Sequence, residues 1–282
     1  MSPGTANDPR GADDRQYHIG LRPGEVAPSI LLVGDPSRAE RVAEAHFESC
    51  SGPIAEREYV TFTGIYRGRP MSVMGTGMGA ANTEIAVIEL CQCFEDPTSI
   101  AIVRAGSCGA LARDVGLGDL VITQAAYRLE ETTLSFVGPG YPAAAHPEAV
   151  IALLWAAEEL GAPHHLGITA TASSFYGAQG RELPGFPPRN PDVERELARQ
   201  GVTNLEMETS ALLTLSTLRG FRAGAVCAVY ANRVEDTFIA SADKPLAEQR
   251  CVEVGLRGLD HLAQLAERRG DRPCWHPGVG LE

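Results

Sequence analysis

The segment Phe175-Tyr176-Gly177-Ala178-Gln179-Gly180-Arg181 puts an aromatic ring, a side-chain amide and a guanidinium on one glycine-punctuated loop. That set can stack on a flat ring and hydrogen-bond its polar edge, so a nucleobase is a natural ligand; an ordinary turn is the plain alternative. Arginines suggest a second kind of chemistry. Arg104 ends the apolar run 99–103, where an unpaired guanidinium is expensive, so it needs an anionic side chain or ligand. Gly106 and Ser107 beside it add a permissive backbone, an amide and a hydroxyl. Arg38 falls in the first turn of a helix that Asp35 caps and Pro36 begins, beside the free amide of Gly34. An anion such as phosphate fits there, and so does a capped helix with a solvated arginine. Neither arginine has another evident use in the sequence.

Glu206 and Glu208 flank Met207 at a strand-to-helix junction. Residues two apart in extended chain share a face, so both carboxylates can face one cleft. A paired-carboxylate hydrolysis of sugars needs a separation that spacing alone does not supply. Acids also favour the first turn of a helix through its dipole. A carboxylate gripping vicinal ribose hydroxyls, with methionine on the sugar face, agrees better with the base and phosphate candidates.

Strand-like and helical patterns alternate along the chain and must position these groups. Residues 29–33, 72–75, 99–103, 119–123, 167–173, 203–205 and 224–229 read as strands, mostly too apolar to be half-exposed. Helical patterns cover 37–45, 80–94, 147–160, 193–200, 207–218 and 244–268. The alternation predicts one α/β domain with a mixed, largely parallel central sheet flanked by helices. Ligands of such sheets gather beyond the carboxyl ends of the strands. The segments 34–38, 76–79, 104–107, 175–181, 206–208 and 230–233 therefore predict one site. The glycines of GTGMGAAN suggest a dinucleotide fold, but that needs an acid closing the next strand, and Arg104 stands there instead. Residues 1–15 read as a loosely ordered tail, 16–268 as the domain, 184–191 as a proline-rich loop, and 269–282 as a second tail. The polar stretch 234–244 reads as a mobile lid.

A net charge of −12 argues against nucleic acid as the main partner, although clustered arginines can still bind a small phosphate. No apolar run reaches the roughly 18 residues of a membrane helix, and the polar start MSPGTANDPRGADDR differs from a secretory signal, so a cytoplasmic protein is expected. Seven irregularly spaced cysteines fit reduced thiols rather than a disulfide framework. Cys91 and Cys93, and the adjacent His164 and His165, lack the spacing of helical metal ligands, and no metal site is expected.

The motifs GDPSR, REY, GTGMG, VRAGSCG, FYGAQGR, NLEMETSALL and VYANR occur in this order. Over residues 15–268 the chain resembles the nucleoside phosphorylase family and, within it, the uridine phosphorylases. The Gln-x-Arg loop distinguishes these from purine relatives, which carry an aspartate where this chain has Asn232. The resemblance implies reversible phosphorolysis of uridine, and of deoxyuridine-type pyrimidine nucleosides, to uracil and ribose or deoxyribose 1-phosphate on a nucleoside phosphorylase-like fold. Gly34, Arg38, Arg104 and Ser107 would bind phosphate, joined by Arg57 of a neighbouring subunit. Met207 and Glu208 would hold the ribose, with His18 reaching from the neighbour toward the 5′-hydroxyl. Phe175 would stack on uracil, Gln179 and Arg181 would bond its polar edge, and Arg233 would brace them. By the same resemblance Arg104, Gln179, Arg181 and Glu208 would carry the catalytic roles. Read without the resemblance, His18 and Arg57 are surface residues, and Phe175 and Met207 are core.

The resemblance also implies no organic cofactor and a homo-oligomer with sites shared across a dimer, commonly a hexamer built as a trimer of dimers. This chain departs from the family at Tyr230-Ala231, where relatives carry an aliphatic pair against the pyrimidine, and in a shortened segment between Gln179 and Glu206. Relatives can hold a monovalent cation with a glutamate, here Glu58, and a serine. Asn82 replaces that serine, so no tightly held ion is expected. The rival readings are a purine phosphorylase or nucleosidase of the same fold, and a catalytically silent nucleoside-binding protein.

Overall fold

The fold is taken from a computed structural model, which describes residues 4–279. The tail expectations for residues 1–3 and 280–282 lie outside the described residues. The apolar run β1 (Ser29–Val33) pairs in parallel with β4 (Arg69–Gly75) and β5 (Ala101–Ala110). Side chains alternate across it. Leu31 and Val33 join one core with Val103, Leu153 and Leu256; Ile30 and Leu32 join another with Leu90, Ile102 and Leu212. Both faces are covered, as its uninterrupted apolar sequence requires. Helices α1 (Pro36–His46), α3 (Pro147–Glu159) and α6 (Lys244–Arg269) cover the first face, and α2 (Ala80–Cys91) and α5 (Thr209–Arg219) the second.

The remaining strands are β2 (Ser49–Glu56), β3 (Tyr59–Tyr66), β6 (Leu120–Leu129), β7 (Ala143–Ala144), β8 (His164–Ala172), β9 (Val202–Glu206), β10 (Arg222–Asn232) and β11 (Thr237–Phe238), with α4 (Val193–Arg199) before β9. The sheet runs β11-β10-β6-β8-β9-β5-β1-β4-β3-β2. A further pairing of β10 with β5 closes β5, β10, β6, β8 and β9 into a ring. Parallel pairs form the centre, while the β2-β3-β4 meander, β10–β6 and β5–β9 are antiparallel. The sheet is thus mixed and belongs to one α/β domain.

Two expectations about strand ends need correction. Arg104 does not end its strand: β5 continues through Ala105-Gly106-Ser107-Cys108-Gly109-Ala110. Residues 230–232 likewise lie inside β10, with a register shift around Tyr230. The apolar run stops where the strand was expected to stop, but small residues fit the ring, where β5 is paired with β10 on one side and β9 on the other. The β2–β3 hairpin was not anticipated because β2 is exposed or half-exposed throughout and lacks a buried face to give it an apolar period.

Beyond α6, in the stretch expected to be a loose tail, Trp275 is buried. Its N–H donates to Glu148 Oε1 at 2.8 Å, and its indole to the Val279 carbonyl at 3.0 Å. At the other end, Arg15 grips Glu25 with two bonds of 2.6 and 2.9 Å. Among the described residues, no helix is long and apolar enough to cross a membrane, and no group of three or more side chains could hold a metal ion. All seven cysteines are free.

Candidate active site

A cleft of about 530 Å³ opens beyond the carboxyl ends of β1, β4, β8 and β9, flanked by the long strands β5 and β10. Gly34 and Arg38 line it from the first strand end, Arg104 and Ser107 from β5, Phe175, Gln179 and Arg181 from the loop after β8, and Met207 and Glu208 from the end of β9. Nine of the twelve anticipated residues thus share one cavity; His18, Arg57 and Arg233 do not line it. A second cavity of about 410 Å³, between α2 and α5, is lined mostly by apolar side chains such as Val87, Leu215 and Phe221 and lacks this set.

Arg104 is 6% exposed and lies across Gly106: a Cβ at position 106 would fall 2.1 Å from its Nη1. Its guanidinium donates to Glu208, approaches Glu206 Oε2 at 3.4 Å and donates to Cys227 Sγ at 3.3 Å. Burial disfavours its charge, but Glu208 and Glu206 outweigh burial and hold its pKa above the ordinary value.

Both glutamates line the cleft, as their spacing allows, but they hold different partners. Glu206 serves the start of α5, accepting from the backbone N–H of Glu208 and Thr209, each at 2.9 Å, and from Thr171 Oγ1 at 2.5 Å. The chain turns into the helix there, and Glu206 satisfies its orphan amides. Glu208 instead reaches Arg104 and accepts from the Gly79 N–H at 2.6 Å. Burial raises the pKa of Glu208 against the opposing charge of Arg104.

Arg38 is not a solvated helix residue. Its Nη2 lies 2.8 Å from Glu248 Oε2 of α6, while Glu248 Oε1 takes Arg41 at 2.8 Å. Its buried Nε–H has no hydrogen-bond partner. Both Arg38 and Arg104 therefore have carboxylate partners: for Arg104 this is the anionic side chain its burial demands, whereas the Arg38 pair with Glu248 is a use the sequence did not show. Glu248 had no signal in the sequence, because it sits in the amphipathic pattern of a long helix with nothing to mark it.

On the base loop, Arg181 lies 3.8 Å from the Phe175 ring centroid, donates to the Phe175 carbonyl at 2.5 Å and donates to Gln179 Oε1. Gln179 is buried. Burial, followed by repulsion from Arg233, lowers the Arg181 pKa to about 10. Arg233 stands behind the loop, donating to the Gln179 carbonyl at 3.3 Å and pairing with Glu194 at 2.6 Å. Across the mouth, Phe238 of β11 and Tyr230 line the cleft. Lys244, the chain's single lysine, places Nζ 4.8 Å from the Phe238 ring centroid and 6.0 Å from that of Tyr230.

His18 and Arg57 lie apart from the cleft. His18 Nδ1 is 2.6 Å from Glu89 Oε1, and Arg57 caps the Tyr17 ring at 5.2 Å. The family pattern described as the phosphorylase superfamily matches residues 28–268. The chain belongs to the phosphorylase superfamily. Within that superfamily it is 41% identical to the uridine phosphorylase of Thermococcus kodakarensis over 279 residues, 98% of this chain and 97% of that protein. It is 32% identical to the uridine phosphorylase of Escherichia coli over 247 residues, covering 84% and 94% of the two chains. A solved Trypanosoma brucei nucleoside phosphorylase, described as showing uridine phosphorylase activity, matches with a TM-score of 0.83 at 28% identity, over 89% of this chain and 99% of its own. The superfamily fold agrees with the single mixed α/β domain described above.

Proposed function

We propose that this chain is a uridine phosphorylase, a pentosyltransferase that reversibly cleaves uridine with phosphate to give uracil and ribose 1-phosphate. The observation that carries the reading is the order of atoms on the base loop. Arg181 can only donate, so the Gln179 atom facing it is the amide oxygen. This fixes the amide, leaving its NH2 to donate and a second oxygen lone pair to accept. Uracil offers a carbonyl and a ring N–H to that pair; cytosine presents the reverse.

Phosphate is held by Gly34, Arg38, Arg104 and Ser107, and the ribose by Met207 and Glu208. As the glycosidic bond breaks, positive charge grows on the sugar and negative charge on the base. Phosphate stabilises the first and then attacks C1′, while Gln179 and Arg181 stabilise the second. Catalysis is positioning and preorganised electrostatics rather than a protein nucleophile.

The charge count supports sites shared between subunits. Arg104 already faces Glu206 and Glu208, and Arg38 with Arg41 faces Glu248 and Asp35. Neither arginine at the phosphate end is free of a carboxylate, so a phosphate bound there calls for a further cation. Arg57 of a neighbouring subunit supplies it, and His18 of that neighbour reaches the 5′-hydroxyl. The working assembly is a hexamer, a trimer of such dimers. The reaction needs no organic cofactor, since phosphate is the nucleophile, and with Asn82 beside Glu58 an interface monovalent cation is held weakly. The enzyme acts in the cytoplasm, in pyrimidine salvage, with neither nucleic acid nor membrane as partner. The deciding experiment follows free uracil from uridine with and without phosphate. Release that depends on phosphate is expected; release at equal rate without it, or a preference for inosine, overturns the reading.

A further inference from the structure

We propose that Glu89 is a positioning residue: it fixes the His18 ring so that Nε2 is presented as a hydrogen-bond acceptor to the 5′-hydroxyl of a nucleoside held by the adjoining subunit. The inference rests on the reading that His18 reaches that hydroxyl. Glu89 lies on α2 and is 8% exposed, so its carboxylate needs partners to offset desolvation. It finds them in two consecutive residues. Oε2 accepts from the backbone N–H groups of His18 and Ile19, both at 2.9 Å, and Oε1 faces His18 Nδ1 at 2.6 Å. The two amides alone would tie the segment to the helix. The third contact does more, because a carboxylate can only accept, so Nδ1 carries the proton and Nε2 of the neutral ring is left bare. The ring is held from a second side by Tyr17, edge-on at 4.8 Å, and its side chain remains 31% exposed.

Glu89→Gln separates the two roles. The amide oxygen can still accept both backbone N–H groups, while its NH2 now faces Nδ1 and favours the opposite tautomer. The tie survives and the acceptor does not. The assay compares kcat/KM for uridine and 5′-deoxyuridine in the intact oligomer, with ¹⁵N resonances of His18 recording which ring nitrogen is protonated. The parent should favour uridine by about 10-fold, the worth of one hydrogen bond. His18→Ala should abolish that preference. Glu89→Gln should cut it several-fold and move the His18 proton from Nδ1 to Nε2, with kcat/KM for 5′-deoxyuridine unchanged. If His18→Ala leaves the preference intact, the ribose reading fails and takes the proposal with it. If His18→Ala abolishes the preference but Glu89→Gln keeps it, or lowers both substrates equally, the proposal alone is overturned and Glu89 is a tie.

Discussion

Gly106 decides where Arg104 lies, and the two make a test at the scale of single residues. A methyl group at 106 would fall 2.1 Å from Nη1 in a fully buried setting. Gly106→Ala should therefore cost about 1–3 kcal/mol of stability by overpacking and push the guanidinium aside. The expected signature is a lower Tm together with a raised KM for phosphate; an unchanged phosphate KM would mean that Arg104 does not bind it. On the base side, Gln179→Ala and Arg181→Ala should each lose roughly 5- to 150-fold in uridine turnover. Arg181→Ala should lose more, because it abandons charge that develops in the transition state, and both should leave phosphate affinity within a few-fold. The chemistry of these residues was legible because guanidiniums and an amide stand beside glycines or past apolar runs. The division of labour between Glu206 and Glu208 was not. Alternation puts them on one face, but the first turn of α5 claims Glu206 for its amides.

Elements around the cleft are tied by side chains whose importance only the fold reveals. Asn232 accepts from the N–H groups of Val234 and Glu235, each at 3.0 Å, and donates to the carbonyls of Ala112 and Val115, again each at 3.0 Å. It thereby anchors the start of residues 234–244, whose β11 pairs with β10. Hydrogen exchange in that stretch should slow when a uridine analogue and phosphate are both present; equal exchange would rule out a lid. Glu248 links α6 to α1. Burial would raise its pKa, but the hydrogen bonds and charges of Arg41 and Arg38 prevail and lower it from 4.5. A carboxylate depressed in the folded state stabilises the fold above its unfolded pKa and stops doing so as pH falls through the folded value. The parent should thus be more stable than Glu248→Gln above pH 4.5, and the gap in denaturation midpoint should close at lower pH. A gap that widens in acid would contradict the ion pair. The parallel core was readable from its apolar runs, whereas the exposed β2 and the small-residue half of β5 carried no such run.

At the scale of the whole molecule, the positions of His18 and Arg57 outside the cleft are what a shared site requires. Arg57→Ala and Arg181→Ala chains, each impaired alone, should regain activity above the mean of the two when mixed, because one site in a mixed dimer contains both arginines. Failure to recover with demonstrated subunit exchange would place each site within one protomer. A single chain's periodicity could not suggest a shared site, because it records what a residue packs against and not what a second copy would bring to it.

The solitary Lys244 also makes the protein a ready-made optical probe. Apart from the α-amino group, amine-selective dyes have one target in 282 residues, and it sits against two aromatic rings at the mouth of the cleft. A fluorophore attached there, without any engineered cysteine, should change its emission as the mouth fills. Nucleoside arrival and departure could then be timed by stopped flow in the otherwise unaltered sequence.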